Sequence, residues 1–140
     1  MLYVGELMTS KVFTLLKSDS LSDVRALMDL ARIRHIPVTD GEKHFLGLVT
    51  HRDLREWAVS HLADIKREER NEIESAILVG DIMRTDVTTT TTDALLADAA
   101  QILYRNKYGC LPVLDDRKIL VGIVTEADVL RLAIALLRGI

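Results

Sequence analysis

A threonine followed three residues later by an aspartate, just after a glycine and an aliphatic run, occurs twice in the chain. The segments are Gly47-Leu48-Val49-Thr50-His51-Arg52-Asp53 and Gly122-Ile123-Val124-Thr125-Glu126-Ala127-Asp128. The aliphatic run reads as a strand and Thr-x-x-Asp as the start of a helix, which leaves two roles open. One is capping: the hydroxyl accepts the third residue's N–H while the carboxylate reaches back to the threonine N–H. The other is ligand binding. A helix start presents unpaired N–H groups and the positive end of the helix dipole. A carboxylate one turn in can accept two hydrogen bonds from a vicinal diol, such as that of a ribose, beside the threonine hydroxyl. The flanking residues differ, His51-Arg52 in the first segment against Glu126-Ala127 in the second. Arginine suits phosphate through its planar fork, and glutamate repels it. The first junction is therefore expected to favour a phosphorylated ligand, and the second to tolerate a neutral or cationic one.

Other chemistry finds little support. His35, His44, His51 and His61 lack the spacing of a metal site. The single cysteine, Cys110, excludes an intramolecular disulfide and a cysteine metal cluster, and it has no identifiable activating partner. No Walker loop, dinucleotide glycine fingerprint, nucleophile elbow or paired carboxylates occur. No required cofactor and no catalysis are expected.

The elements that must position the two junctions repeat with an offset of 75 residues. Val4-Gly5-Glu6-Leu7-Met8 returns as Val79-Gly80-Asp81-Ile82-Met83, Pro37-Val38 as Pro112-Val113, and Gly47 and Thr50 as Gly122 and Thr125. Laid without a gap, residues 4–59 match 79–134 at 16 of 56 positions, too many for coincidence over such a length. Each copy reads as a short β stretch (Val12 to Leu16, then Val87 with the threonines 88–92), a helix, a hairpin and a second helix. Ser20 with Asp23 spells a capping box for the first helix, and Asp93 is expected to cap its counterpart. The hairpins turn at Asp40-Gly41-Glu42 and Asp115-Asp116-Arg117, and the closing helices are expected to start at His51 and Glu126. The division is 1–60 for the first repeat, 61–78 for a helical linker and 79–140 for the second. Its polar run from Lys66 to Glu72 reads as a solvated face or turn.

Composition bounds the rest. Hydrophobic residues make up 49% of the 140 but aromatics only 4%, so the core must be aliphatic. A net charge of −3 with dispersed basic residues speaks against nucleic acid or an anionic membrane as partner. The first residues lack a signal-peptide pattern, and the longest apolar stretch, near Leu132 to Leu137, is too short to span a bilayer. A cytoplasmic setting is expected. One copy of about fifty residues buries too little surface to stand comfortably alone, so two copies are expected to pack by a pseudo-two-fold. The apolar end of the last helix (Val129, Leu130, Ala133, Ile134, Leu137) and the neighbourhood of Trp57 point to a homodimer.

With Val-Gly-x-x-Met, hydrophobic-Pro-Val-x-Asp and Gly-x-Val-Thr-x-x-Asp present in both copies, the chain resembles a tandem pair of cystathionine β-synthase (CBS) domains, a Bateman module. The helical insert after the first copy also resembles the CBS part of acetoin-utilisation-type proteins. The resemblance implies an α/β (α+β) fold of two β-α-β-β-α repeats. It further implies adenosine ligands (AMP, ADP, ATP, S-adenosylmethionine or dinucleotides) in the clefts between the copies. By position Thr50, Asp53, Thr125 and Asp128 would meet ribose and phosphate. Val12, Phe13, Val87 and Thr88, with Arg34, His35, Gly109 and Cys110, would meet the base, and Arg52 adds a cation at the first junction. The alternative is a ligand-free module for dimerisation or for an unidentified protein partner, in which the Thr-x-x-Asp pairs are caps alone.

Overall fold

The computed structural model describes residues 1–139, so Ile140, the last residue of the second repeat as divided, lies outside the described residues. In chain order the elements are α1 (Val4–Leu7), α2 (Leu21–Ala31), β1 (His35–Thr39), β2 (Phe45–Thr50), α3 (His51–Leu62), α4 (Arg67–Ser75), α5 (Val79–Ile82), α6 (Leu96–Asn106), β3 (Cys110–Leu114), β4 (Leu120–Thr125) and α7 (Glu126–Leu137). They form two compact units: Phe13–Val87, and Met1–Val12 together with Thr88–Ile140. The unit boundary differs from the repeat boundary because the leading segments are exchanged. Each unit takes its hairpin and two long helices from one repeat and its Val-Gly-x-x-Met segment from the other.

In the Phe13–Val87 unit, β1 and β2 pair antiparallel with His35 opposite Thr50 and a bulge at Val38/Thr39. Asp40 organises the turn by accepting the N–H groups of Glu42 and His44 (both 2.9 Å). Those bonds, the His44 one foremost, hold its carboxyl below the ordinary aspartate range. The apolar stripe of α2 (Leu21, Val24, Met28) packs with Ile36, Val38 and Val49 of the hairpin and Leu54 of α3 into an aliphatic core. Val79 of α5 belongs to that core and is fully buried. The Ser20–Asp23 box forms as expected, with the Ser20 N–H donating to Asp23 Oδ2 (2.8 Å) and the Asp23 N–H to Ser20 Oγ (3.2 Å).

The polar run 66–72 lies largely in α4, which docks on α2. Glu74, 2% exposed, accepts a fork of two bonds from Arg25, Nε at 2.9 Å and Nη2 at 2.7 Å. This partner raises the Arg25 pKa further above its ordinary value.

In the second unit β3 and β4 repeat the pairing, Cys110 opposite Thr125, and Val4 of α1 is fully buried among Leu96, Leu103, Leu111, Val113 and Val124. Here one expectation is corrected: Asp93 is not the cap of α6. The helix begins one residue after Leu95, which makes no side-chain cap; the Leu96 N–H donates to the Leu2 carbonyl (2.9 Å), while Asp93 accepts the Thr91 hydroxyl (2.6 Å). The expected first strands are also shorter than read. Each is one bridge, Leu15 to Val38 and Thr90 to Val113, both parallel.

Candidate functional site

β2 runs directly into α3, and the turn from extended to helical backbone falls at Thr50 (φ −111°, ψ 160°). The His51 N–H donates to the Arg34 carbonyl (2.8 Å), tying the helix start to the residue that enters β1. The capping box closes: the Asp53 N–H donates to Thr50 Oγ1 (3.2 Å) and the Thr50 N–H to Asp53 Oδ2 (3.1 Å). The other carboxylate oxygen, Oδ1, accepts Arg84 Nε (2.8 Å) and Nη2 (2.6 Å).

Arg84 reaches this place because Leu48 and Arg84 exchange two backbone hydrogen bonds (both 2.9 Å), which lays the chain after α5 along β2. Gly47 permits that approach. A Cβ there would stand 2.7 Å from the Arg84 carbonyl oxygen and 2.8 Å from Met83 Sδ. The Asp53 side chain is 11% exposed and that of Arg84 57%. Hydrogen bonding to Asp53, then its charge, raises the Arg84 pKa.

The second unit repeats the frame with other charges. Thr125 N–H donates to Asp128 Oδ2 (2.9 Å) and Asp128 N–H to Thr125 Oγ1 (3.2 Å). Thr9 exchanges two backbone bonds with Ile123 (both 2.9 Å), and Gly122 faces Met8 as Gly47 faces Met83. At Arg84's position in the repeat stands Thr9, and at Glu56's stands Arg131, which binds Asp128 Oδ1 from one turn along α7. Each aspartate thus has one oxygen in the cap and one on an arginine, supplied by the exchanged segment in the first case and by its own helix in the second. A carboxylate has about four acceptor positions, so about one remains on Asp53 and about two on Asp128 for the hydroxyls of a diol. At the first junction Arg84 keeps N–H groups beyond the two on Asp53.

The hairpin brings Arg34, His35, Thr50 and Asp53 to one end of the first unit, and Gly109, Cys110, Thr125 and Asp128 to one end of the second. Glu126 N–H donates to the Gly109 carbonyl (3.1 Å) just as His51 does to Arg34. Val12 and Phe13 fall on either side of the unit boundary, as do Val87 and Thr88. Phe13 is 53% exposed, Arg34 and Thr88 are exposed, and Val12, Val87, His35 and Gly109 are half-buried. Cys110 is 4% exposed, and burial pushes its thiol up to about 12, so it is no nucleophile. Arg52 pairs with Glu56 along α3 (3.1 Å), and the cation in contact with Asp53 is Arg84. Sequence reasoning missed Arg84 because its repeat counterpart is Thr9 and the reading stopped at Met83; an arginine directly after Val-Gly-x-x-Met was the available signal. Among the described residues no group of three or more His, Cys, Asp or Glu could hold a metal, and no helix is long and apolar enough to cross a membrane.

The sequence pattern of the CBS domain matches residues 4–60 and 79–135. The chain belongs to the CBS-domain family. A CBS domain-containing protein of Dictyostelium discoideum is 30% identical over 137 residues, 98% of this chain and 94% of that one. Among solved structures, a Vibrio cholerae protein assigned to acetoin utilisation (AcuB) is 35% identical with a TM-score of 0.81, covering 99% of this chain and 94% of its own. The CBS-pair protein CBSX2 of Arabidopsis thaliana, solved in complex with AMP, is 27% identical with a TM-score of 0.82, covering 97% and 98%. The CBS-domain chain spans a smaller part of other relatives, 43% of one, and 22% and 23% of an inosine-5'-monophosphate dehydrogenase and a homoserine O-acetyltransferase.

Proposed function

We propose that this CBS pair is a non-catalytic regulatory module that binds an adenosine-containing nucleotide at the Thr50–Asp53 and Thr125–Asp128 junctions. The observation that carries the reading is the repeated junction itself: a capped helix start whose aspartate keeps acceptor capacity and has an arginine on the oxygen not used by the cap. The AMP complex of the similar CBSX2 supports the ligand class. The segment's match to about a quarter of two enzymes of unrelated chemistry supports a role in control, since a shared module does not follow the reaction.

At the first junction Arg84 spends Nε and one Nη on Asp53, and its remaining N–H groups are available to a phosphate. That junction therefore takes AMP, ADP or ATP. The second, with Thr9 in place of Arg84 and Glu126 at the helix start, is the better place for a neutral or cationic adenosyl compound such as S-adenosylmethionine. Titration calorimetry with AMP and with adenosine tests this. Arg84→Gln removes most of the preference for AMP and leaves adenosine affinity within about two-fold. An unchanged AMP preference in the variant contradicts the assignment.

A second reading has its own observation: the boxes alone account for the threonines and aspartates, while Tyr104, Leu130 and Leu137 are 85%, 61% and 86% exposed. On that reading the module serves dimerisation. A thermal-shift screen of adenosine compounds separates the two, since a ligand that binds only the folded state raises the melting temperature.

A further inference from the structure

The face of α3 that carries His51, Leu54, Arg55 and Ala58 lines an open cavity of about 920 Å³ together with residues of α2 and α4, wholly within the Phe13–Val87 unit. That volume is at the upper end of what small-molecule sites occupy, roughly 300–1,000 Å³. Four arginines line it, Arg25, Arg55, Arg67 and Arg70, against two carboxylates, Asp29 and Glu74, in a chain whose net charge is −3. Glu74 is consumed by Arg25. Arg70 is steadied by its Nε donating to the Ile65 carbonyl (3.1 Å), which leaves its terminal nitrogens without a carboxylate. Among the described residues neither Arg55 nor Arg67 makes an ion pair. Among the described residues that line it, three guanidinium groups thus share one cavity with Asp29, which acts on Arg25 through its charge but makes no ion pair.

The fold does not demand these cations. At the positions of Arg25, Arg55 and His51 the second repeat has Ala100, Leu130 and Glu126, on helices of the same length. Like charges gathered around a concave surface repel one another, and low-dielectric walls concentrate their field on what enters. Leu54 and Ala58 supply an apolar wall.

The geometry points to a second binding site, independent of the Asp53 junction, for a small multivalent phosphate compound held by Arg55, Arg67 and Arg70. Planar guanidinium groups converging on one space match phosphate oxygens and distinguish this class from a lone carboxylate.

Inorganic pyrophosphate, titrated into the full chain at low ionic strength by calorimetry and amide NMR, tests it. Binding is expected, with shifts at α3 and α4, an affinity that falls with added salt, and at least a ten-fold loss in Arg55→Gln/Arg67→Gln. Both residues are exposed and unpaired, so that variant keeps its melting temperature and its adenosine affinity. Arg84→Gln, which removes the phosphate donor of the Asp53 junction, leaves the pyrophosphate-induced shifts along α4 in place. No binding at millimolar pyrophosphate, α4 shifts indifferent to the double substitution, or α4 shifts lost in Arg84→Gln would each overturn the site. So would a double variant that changes only the sedimenting mass, which would make this face a contact between copies. Failure of the adenosine proposal leaves all these outcomes readable, because pyrophosphate carries no nucleoside.

Discussion

Gly47→Ala puts a methyl group where the chain after α5 lies on β2. The new Cβ would be 2.7 Å from the Arg84 carbonyl oxygen and 2.8 Å from Met83 Sδ. The thioether can swing aside, but the carbonyl is backbone, and moving it means separating Leu48 from Arg84. Two hydrogen bonds of 2.9 Å join those residues, and each contributes about 0.5–1.5 kcal/mol net. Their loss or distortion, or the equivalent overpacking strain, costs about 1–3 kcal/mol. At about 4 °C per kcal/mol for a domain of this size, the melting temperature should fall by roughly 4–12 °C. Arg84 would be displaced from Asp53 at the same time, so preference for a phosphorylated ligand should fall with stability. Circular-dichroism melts compare the variant with Gly41→Ala, where an added Cβ meets nothing within 4 Å and the backbone is not left-handed. Gly41→Ala is expected to be neutral or slightly stabilising. If both variants melt with the wild type, the close approach at Gly47 does not hold the exchanged segment, and the reasoning fails.

Three further outcomes are expected. Arg25→Met strands the Glu74 carboxylate, whose side chain is 3% exposed; because Arg25 itself is 44% exposed, the loss in urea melts should be about 2 kcal/mol, below that of a fully buried pair, and no loss would remove the pair from the account. Cys110 should resist thiol reagents at pH 8 until the chain unfolds, since a thiol at about 12 leaves roughly one molecule in ten thousand as thiolate. Its folded pKa lies above the unfolded value, so its contribution to stability is complete below about pH 9 and is lost as pH rises toward 12; rapid labelling of the native protein would contradict this. Sedimentation velocity at micromolar concentration should show twice the 15.7 kDa chain mass, with Leu130→Glu/Leu137→Glu returning it to monomer, whereas a wild-type monomer would refute self-association through α7.

What the sequence showed best was local. The hairpin turns at Asp40 and Asp115, the helix starts at His51 and Glu126, and the three Ser/Thr-x-x-Asp boxes depend on neighbours within a few residues, and all are present. What it did not show is held at long range. Leu95 begins α6 without a side-chain cap because Leu2 supplies the carbonyl for the next N–H. Val79 and Val4 are core residues of units that hold the hairpin and long helices of the other repeat, an exchange that the 75-residue periodicity conceals. The polar run 66–72 looks solvated until Glu74, just beyond it, is seen buried against Arg25. At the junctions, residue types identified Thr50, Asp53, Thr125 and Asp128, but the contact of Arg84 with Asp53 depends on the chain after α5 lying along β2, a long-range pairing.

The most direct test of the account is titration calorimetry of AMP into the wild-type chain and into Asp53→Asn/Asp128→Asn. Asparagine keeps an oxygen for the capping N–H, so the variant should remain folded with a loss of about 1 kcal/mol. It should lose the charged acceptor for the ribose hydroxyls, worth about 1.5–3 kcal/mol at each junction. The account predicts saturable binding to the wild type and an affinity roughly ten- to hundred-fold weaker in the variant. No heat from the wild type at millimolar AMP, or equal affinity in the two folded proteins, would contradict it.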